Sequence, residues 1–299
     1  MGTSKISIIG SGVVGTATGR GFDKLGHEVI FYDVAKEKLR SLKNLGYNVA
    51  NNLEEAMSHT EISFICVNTP TSNAQQDLSQ VMSALYQLAN FLNATKRFHL
   101  IVFRSTMLPG TMRDLVASYL DMHCSKKRGV DYQICYNPEF LRQNSALDDF
   151  FSPDRVIIGE DRKGVSESLV SLYKELTDRI IVTTFEAAEL IKYASNCFLA
   201  LKISFFNEIG MICRNIGIDD KIVSLGVSLD KRIGKYGTEA GRPFDGMCLP
   251  KDTQALASYV KKFQIEPDLL QVVLDINKRL EDLTTTKQLV SGIRESLQI

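Results

Sequence analysis

Residues 5–15, KISIIGSGVVG, contain the strongest indication of fold class in this chain. The first half of this stretch is a run of mostly β-branched residues, typical of a strand buried on both faces of a sheet. Its second half places glycines at positions 10, 12 and 15, where a helical pattern begins. Gly10 and Gly12 permit a tight turn and close approach of the backbone to a pyrophosphate, and Gly15 lets the helix pack against the strand. The stretch therefore predicts a strand, a phosphate-binding turn and a helix.

Six further apolar runs repeat the strand pattern, and the spacers between most of them are long enough for crossover helices. This alternation predicts an α/β fold with a Rossmann-like, doubly wound, mostly parallel sheet. The runs are EVIFYDV (28–34), ISFICV (62–67), LIVFRS (100–105), YQICYN (132–137), VIIG (156–159) and IIVTT (180–184).

From Phe185 onward the pattern changes to helical periodicity, with apolar residues three and four positions apart. These positions are Leu190, Ala194, Cys197, Leu201 and Phe205. Further helical segments are predicted near 219–228, from Asp252 to about Phe263 and from Glu266 onward. We therefore expect a nucleotide-binding domain over residues 1–185 and an all-helical central domain over residues 186–299. The apolar helix offers more hydrophobic face than one small domain needs, which favours a homodimer through that helix.

An acidic residue completes the dinucleotide pattern. Asp33 ends the second predicted strand, 23 residues beyond Gly10. Its carboxylate accepts hydrogen bonds from the ribose hydroxyls of adenosine and would repel a 2′-phosphate. The N-terminus of the helix that begins at the glycine turn faces the negative pyrophosphate. The sequence thus predicts a site for NAD in preference to NADP.

The bulk properties exclude several classes of partner. The chain has 299 residues with 35 Lys and Arg against 35 Asp and Glu, so no net field favours nucleic acid or an anionic membrane. Its six cysteines form no CxxC pair and no zinc-type spacing, which indicates reduced thiols and no metal site. We find no apolar run of transmembrane length and no signal-type N-terminus. We expect a cytoplasmic protein.

Polar side chains recur at positions suited to catalysis. Lys192 and Asn196 lie four residues apart on the predicted long helix, so they share one face and can hold a developing oxyanion. The alternative is a surface lysine beside an ordinary helix asparagine. Glu139, in NPEF, and Thr106, in RSTMLPGT, each follow a predicted strand. Ligands of open α/β sheets bind at such carboxyl ends.

A cysteine lies in the stretch GRPFDGMCLPKD, residues 241–252. Cys248 has glycine, proline and charge on both sides, which predicts a constrained and accessible loop. A nicotinamide site, an oxyanion-holding pair, a carboxylate and a thiol suit the oxidation of an alcohol to an acid. The second hydride must leave from a tetrahedral adduct, which a cysteine supplies, and a base then directs water at the thioester.

Six motifs occur in order along essentially the whole chain: GSGVVG (10–15), the Thr-Pro of VNTPT (69–70), RSTMLPGT (104–111), NPEFLRQNSALDDFFSPDRVIIG (137–159), ELIKYASNCFLALKISFFNEIG (189–210) and FDGMCLPKD (244–252). By these motifs the chain resembles the UDP-glucose/GDP-mannose dehydrogenase family of NAD-dependent nucleotide-sugar 6-dehydrogenases.

The resemblance implies roles for individual residues. It places the nucleophile at Cys248, the oxyanion-stabilising residues at Lys192 and Asn196, and the glutamate that assists thioester hydrolysis at Glu139. Thr106 and Asp252 correspond to the residues that hold water in the first oxidation. The NAD-binding residues that it implies are Gly10, Gly12, Val13, Val14, Gly15, Asp33, Lys38, Thr69 and Thr106.

The resemblance further implies a nucleotide-sugar substrate of the UDP-glucose type, oxidised at C6 with two NAD per turnover. The base and the sugar stay open at this point. Family members carry a third domain that binds the nucleotide of the substrate, and we expect this domain to be absent from the chain. Asp245 stands where the family usually has glycine, so we expect a narrowed or strained turn there.

Two other functions stay open. A two-electron β-hydroxyacid dehydrogenase of the 6-phosphogluconate type also joins a Rossmann domain to a helical domain and uses a Lys-x-x-x-Asn pair. It leaves Cys248 and Glu139 unexplained. A non-catalytic module that binds NAD and dimerises is the other alternative.

Overall fold

The computed structural model describes residues 2–72, 74–246 and 248–296, with side chains as far as residue 282. The chain divides into two compact units, and the division falls within a long helix, after Lys192. Thr71–Gln75 belong to the second unit. The predicted domain boundary between residues 185 and 186 stays a prediction, and the long helix begins at Phe185.

The first unit is built on an eight-stranded sheet. In chain order the strands are β1 (Lys5–Ile9), β2 (Glu28–Tyr32), β3 (Asn48–Val49), β4 (Ile62–Ile65), a separate pair β5 (Thr71–Ser72) and β6 (Gln75–Gln76), β7 (His99–Phe103), β8 (Tyr132–Tyr136), β9 (Val156–Glu160) and β10 (Ile180–Thr184). All seven predicted strands are confirmed. The order across the sheet is β10-β9-β8-β7-β4-β1-β2-β3. Strand β1 lies between β2 and β4 and is parallel to both, so the sheet reverses its winding at the glycine turn.

Three strands were not predicted, because β3, β5 and β6 have two residues each and show no periodicity.

The sheet also has one antiparallel contact, between β8 and β9, where Tyr136 pairs with Gly159. The connection between these strands includes the short helix α6 (Ala146–Phe151). The ring of Phe150 on α6 packs at the surface of the first helix, against Gly21. Strand β9 runs opposite to β8, and β10 is parallel to β9.

Helices cover both faces of the sheet. One apolar layer includes the rings of Phe22, Phe31 and Phe64, and the other includes Leu85, Leu88 and Phe103. Both layers are fully or almost fully excluded from solvent, as expected for parallel strands. The helices of this unit are α1 (Val13–Lys24), α2 (Lys36–Asn44), α3 (Leu53–Ser58), α4 (Ser79–Ala94), a π-helical segment (Met112–Ala117) that continues into α5 (Ser118–His123), α6, and α7 (Glu167–Tyr173).

The second unit is helical, as predicted. Helix α8 (Phe185–Ile216) begins in the first unit and is followed by α9 (Asp220–Ser228), α10 (Leu249–Val260) and α11 (Asp268–Ser296). Ala200, Phe244 and Val273 form a small buried core in this unit. The Rossmann-like sheet and the helical region that follows it confirm the predicted fold class.

Helix α8 buries a polar face. Cys197 is buried, but the other apolar positions of its repeat are half-buried or exposed, and Phe205 is 52% exposed. The buried positions also include Glu189, Lys192, Asn196, Ser204 and Asn207, which recur at three- and four-residue steps once the buried Ala200 between Asn196 and Ser204 is counted. The apolar repeat thus predicted the helix correctly and did not indicate which face is buried.

By length and composition alone, α8 could span a membrane, contrary to the expectation that no segment is long and apolar enough. The observation is weak evidence, because core helices of soluble proteins meet the same criterion. Of its most apolar window, 44% is buried within the protein.

Candidate active site

The turn between β1 and α1 has the geometry of a dinucleotide site. Gly10 has φ +98°, and a Cβ there would lie 2.7 Å from the carbonyl oxygen of Cys66. A Cβ on Gly15 would lie 1.9 Å from the carbonyl oxygen of Gly10. A Cβ on Gly12, by contrast, would meet no atom within 4 Å. Gly12 is the N-cap of α1, so the helix begins against open space that suits a pyrophosphate.

The predicted ribose-binding carboxylate lies beside this turn. Asp33 is 7% exposed, and its Oδ2 accepts a hydrogen bond of 2.6 Å from the backbone N–H of Ser11. Its Oδ1 accepts 2.8 Å from the N–H of Ala35, and the Lys38 ammonium lies 3.2 Å from Oδ2. The carboxylate is therefore fixed between the turn and α2. This arrangement fits NAD, because the glycine turn and the acid both have the positions that the cofactor requires.

Four other predicted cofactor residues lie at or near the same edge of the sheet. Val13, at the first position of α1, is 47% exposed, and Val14 packs partly against the core. Thr69 and Thr106 follow the carboxyl ends of β4 and β7, and the Thr69 hydroxyl donates to the carbonyl of Thr106 at 2.7 Å. The fold thus brings these two threonines into contact from distant parts of the sequence.

Glu139 and Lys192 form a buried ion pair. The Lys192 ammonium lies 2.8 Å from Glu139 Oε1 and donates to the Glu139 carbonyl at 2.6 Å. The two residues are 5% and 3% exposed. Burial opposes ionisation of Glu139, but the ammonium and a 2.6 Å hydrogen bond from the N–H of Leu141 outweigh it, so the pKa of Glu139 is lowered. The predicted base is therefore held as a carboxylate.

An arginine that the sequence analysis did not single out lies close to this pair. Arg104 is 5% exposed and donates to the carbonyl and side-chain oxygens of Asn137 and to the hydroxyl of Tyr173. Its charge contributes to the lowered pKa of Glu139. The signal was present in the sequence, since an arginine at the end of an apolar strand is unusual.

In the second unit, Asn196 and Asp252 are in contact. The Asn196 amide donates to Asp252 Oδ2 at 2.6 Å, and the Lys251 ammonium pairs with Oδ1. Asp252 is fully buried, and its backbone N–H bonds the carbonyl of Cys248 at 3.0 Å in the first turn of α10. A carboxylate at this end of a helix also gains from the helix dipole.

Cys248 is the N-cap residue of α10 and is exposed, which confirms the accessible loop. The other five cysteines are buried or half-buried. Burial raises the pKa of the Cys66, Cys135 and Cys197 thiols to about 12 and that of Cys124 to about 11. These thiols stay protonated at neutral pH and are poor nucleophiles.

Two asparagines that the sequence analysis missed hold the segment that precedes Cys248. Asn207 donates to the carbonyl of Arg242 and accepts from the N–H of Gly241, both at 2.7 Å. Asn277 accepts 2.7 Å from the N–H of Phe244 and donates to its carbonyl. No sequence signal marks these asparagines, because their partners lie more than thirty residues away.

The expected strain at Asp245 is not found. Positive φ among the described non-glycine residues occurs at Ala74 and Gln264. The positive φ of this turn falls on Gly246, at +80°, and Asp245 is exposed. The turn accommodates the aspartate because the adjacent glycine takes the left-handed conformation.

Comparison with known proteins agrees with these features. The model of the UDP-glucose/GDP-mannose dehydrogenase family, NAD binding domain, matches residues 43–177, and the central-domain model of the same family matches residues 186–279. The UDP-glucose 6-dehydrogenase of Rickettsia bellii is 35% identical, over 94% of this chain and 68% of that protein. The GDP-mannose 6-dehydrogenase of Pseudomonas putida is also 35% identical, over 92% of this chain and 68% of that protein.

Solved structures show the same similarity. The chain superposes on a UDP-glucose dehydrogenase from the archaeon Pyrobaculum islandicum with a TM-score of 0.86 and 35% identity. The superposition covers 99% of this chain and 72% of that one.

Proposed function

The chain belongs to the UDP-glucose/GDP-mannose dehydrogenase family, and we propose that it oxidises the C6 alcohol of a nucleotide sugar to the carboxylate through an adduct on Cys248. That it is an NAD-dependent nucleotide-sugar dehydrogenase follows from the family and its relatives. The observation that supports the cysteine step is the exposure of the Cys248 thiol at the start of α10, whereas the other five cysteines are less accessible.

In this proposal each of the candidate site residues has a defined task. The first oxidation gives an aldehyde at C6, and Cys248 adds its sulfur to that carbon to form a thiohemiacetal. The second oxidation gives a thioester. Glu139 then takes a proton from the water that attacks the thioester, which releases the acid and restores the thiol. When bound, NAD⁺ would supply the hydride acceptor for each of the two oxidations, so two would be consumed for every acid formed.

The remaining assignments support charge and orientation. Lys192 and Asn196 carry N–H donors that stabilise the oxyanion formed at C6. Thr106 and Asp252 are assigned to the water that receives the proton in the first oxidation. The lowered pKa of Glu139 supports its part, because a base must be ionised before it can accept a proton.

NADH formation with a panel of UDP- and GDP-sugars tests the activity. We expect two NADH for every uronic acid with at least one of them. One NADH per product would support the two-electron β-hydroxyacid alternative, and no NADH with any sugar would contradict the proposal.

Replacing the thiol tests the mechanism. We expect Cys248→Ser to lower the rate of acid formation by at least about 10³-fold, because the nucleophile is lost. Binding of NAD should stay unchanged. Cys124→Ser removes a half-buried thiol elsewhere and is the control. Acid formation by C248S at the wild-type rate would rule out the adduct.

We also propose a homodimer that forms through an apolar surface of α8 and α9. Phe198 is 63% exposed on α8, and Ile222 is 68% exposed on α9. Exposed apolar side chains in such number are typical of a surface that is covered in an oligomer. A cytoplasmic location is proposed as well, because a reactive thiol persists in a reducing compartment. The further exposed apolar residues of this surface are Phe205, Ile212, Ile216, Leu225 and Leu229.

A further inference from the structure

The loop that leaves β7 carries Thr106, and its first half is held by side chains. We call residues 106–112 the Thr106 loop. The carbonyl of Thr106 accepts hydrogen bonds from the Thr69 hydroxyl at 2.7 Å and from the Gln76 amide at 2.8 Å. The N–H of Met107 donates to the Tyr136 hydroxyl at 3.3 Å. This half of the loop is thereby fixed to the segment after β4, to β6 and to β8.

A single carboxyl group holds the second half. Glu189 Oε2 accepts 2.7 Å from the N–H of Gly110, and Oε1 accepts 2.7 Å from the N–H of Met112. Gly110 has φ +90°, so the backbone turns sharply between the two donors. The two bonds close the turn at the point where the π-helical segment begins. Both oxygens of one side chain are therefore used on one loop.

Glu189 is an unusual residue to bury. It is 0% exposed, and none of the ion pairs among the described residues includes it. The two charged groups that shift its pKa, Glu186 and Arg113, pair with each other at 2.6 Å. Burial of a carboxyl group is costly, and the two backbone donors offset this cost only in part, because burial still raises the pKa of Glu189. A role in the loop would explain why the group is present.

We propose that Glu189 is a positioning residue that fixes the Thr106 loop to the turn of α8 that carries Lys192. Glu189 lies three residues before Lys192 and therefore on the same side of the helix. The inference rests on the proposed function, because Thr106 and Lys192 act on the substrate only in that function. A displaced loop would misplace Thr106, and small displacements near reacting atoms lower kcat strongly.

The charge of Glu189 affects this contact. Burial raises its pKa to about 8, with a further contribution from Glu186, against the opposing effects of the two N–H donors and Arg113. A protonated carboxyl group presents an O–H to one of the N–H donors, which weakens that hydrogen bond. The loop is thus held more tightly as the pH rises through about 8, so kcat should rise over the same range.

The experiment compares Glu189→Gln with Glu186→Gln in the full chain. Both variants change a carboxyl group of α8 to an amide, but Glu186 is half-buried and pairs with the side chain of Arg113 instead of with the loop backbone. Amide hydrogen exchange is followed in peptides that cover residues 106–114. We expect E189Q to lose about tenfold or more of its protection in this segment and E186Q to lose little.

Activity provides the second readout. We expect E189Q to lower kcat about tenfold or more while the KM for NAD stays within about twofold, because the cofactor turn is untouched. In a plot of kcat against pH, the increase around pH 8 that we assign to ionisation of Glu189 should be absent in E189Q and present in E186Q. Unchanged exchange in E189Q would overturn the proposal.

The two proposals fail separately. Wild-type protein that reduces no NAD with any nucleotide sugar contradicts the proposed function, whereas the exchange measurement still decides the contact of Glu189 with the loop. Should E189Q not fold, Glu189→Asp keeps the charge on a shorter side chain that reaches one N–H at most. We expect partial loss of protection in E189D, and full protection would overturn the proposal.

Discussion

At the scale of single residues, the Glu139–Lys192 pair links the chemistry of the site to the stability of the fold. Both charges are buried, so each depends on the other for compensation. The pKa of Glu139 is lowered in the folded state. The pair therefore stabilises the protein above the unfolded-state pKa of the carboxyl group, and this contribution is lost as the pH falls through the lower folded-state value.

Lys192→Met tests this coupling. We expect it to lower the free energy of unfolding by about 3–5 kcal/mol near pH 7, because Glu139 is left buried and unpaired. The loss should shrink at lower pH, where the isolated carboxyl group takes up a proton. Urea unfolding at two pH values measures both effects.

The double variant Lys192→Met/Glu139→Gln is the matched control. Since it buries no unpaired charge, it should lose less stability than K192M alone. If the double variant is destabilised by the sum of the two single changes, the side chains are not coupled and the interpretation is wrong.

At the scale of elements, two glycines of the β1–α1 turn have different structural roles. Gly15 lies where helix and strand touch, since a Cβ there would meet the Gly10 carbonyl oxygen at 1.9 Å. Gly12 lies where the helix begins against open space. Gly15 is needed for packing, and Gly12 leaves room in front of the helix N-terminus.

Alanine at each position should therefore give a different result. We expect Gly15→Ala to lower the free energy of unfolding by about 1–3 kcal/mol, because the backbone must shift to relieve the contact. Gly12→Ala should fold with near wild-type stability and bind NAD at least about tenfold more weakly, because its methyl group occupies the phosphate space. Thermal unfolding and NAD titration by calorimetry distinguish the two. Unaltered NAD affinity in G12A would contradict this location of the pyrophosphate.

At the scale of the whole molecule, the apolar residues of α8 and α9 predict the oligomeric state. We expect a dimer in sedimentation equilibrium, and Phe205→Glu should shift it toward monomer by placing a charge on the proposed interface. Tyr86→Glu makes a comparable change at a position 62% exposed on α4 and should leave the dimer intact. A wild-type monomer, or equal dimerisation of both variants, would disprove this interface.

Much of the fold could be predicted because the deciding patterns are local. Each of the seven predicted strands is a compact apolar run, and the long helix repeats over many turns. The two-residue strands were missed because they have no period of their own. The direction of β9 relative to β8 could not be predicted, because an apolar run indicates a strand but not the direction in which it runs.

In the candidate site too, some features could be predicted from the sequence and others could not. The glycine turn, Asp33 and the loop of Cys248 are visible as spacing and composition, so a dinucleotide fold, its cofactor and a candidate nucleophile could be predicted from the sequence alone. Which charges are paired depends on the packing of distant elements. Lys192 meets Glu139 across 53 positions, Asn196 meets Asp252 across 56, and Glu189 meets Met112 across 77. Periodicity reports on a residue's near neighbours along one element, whereas a buried charge is stabilised by whatever group the packing of distant elements brings within hydrogen-bonding distance.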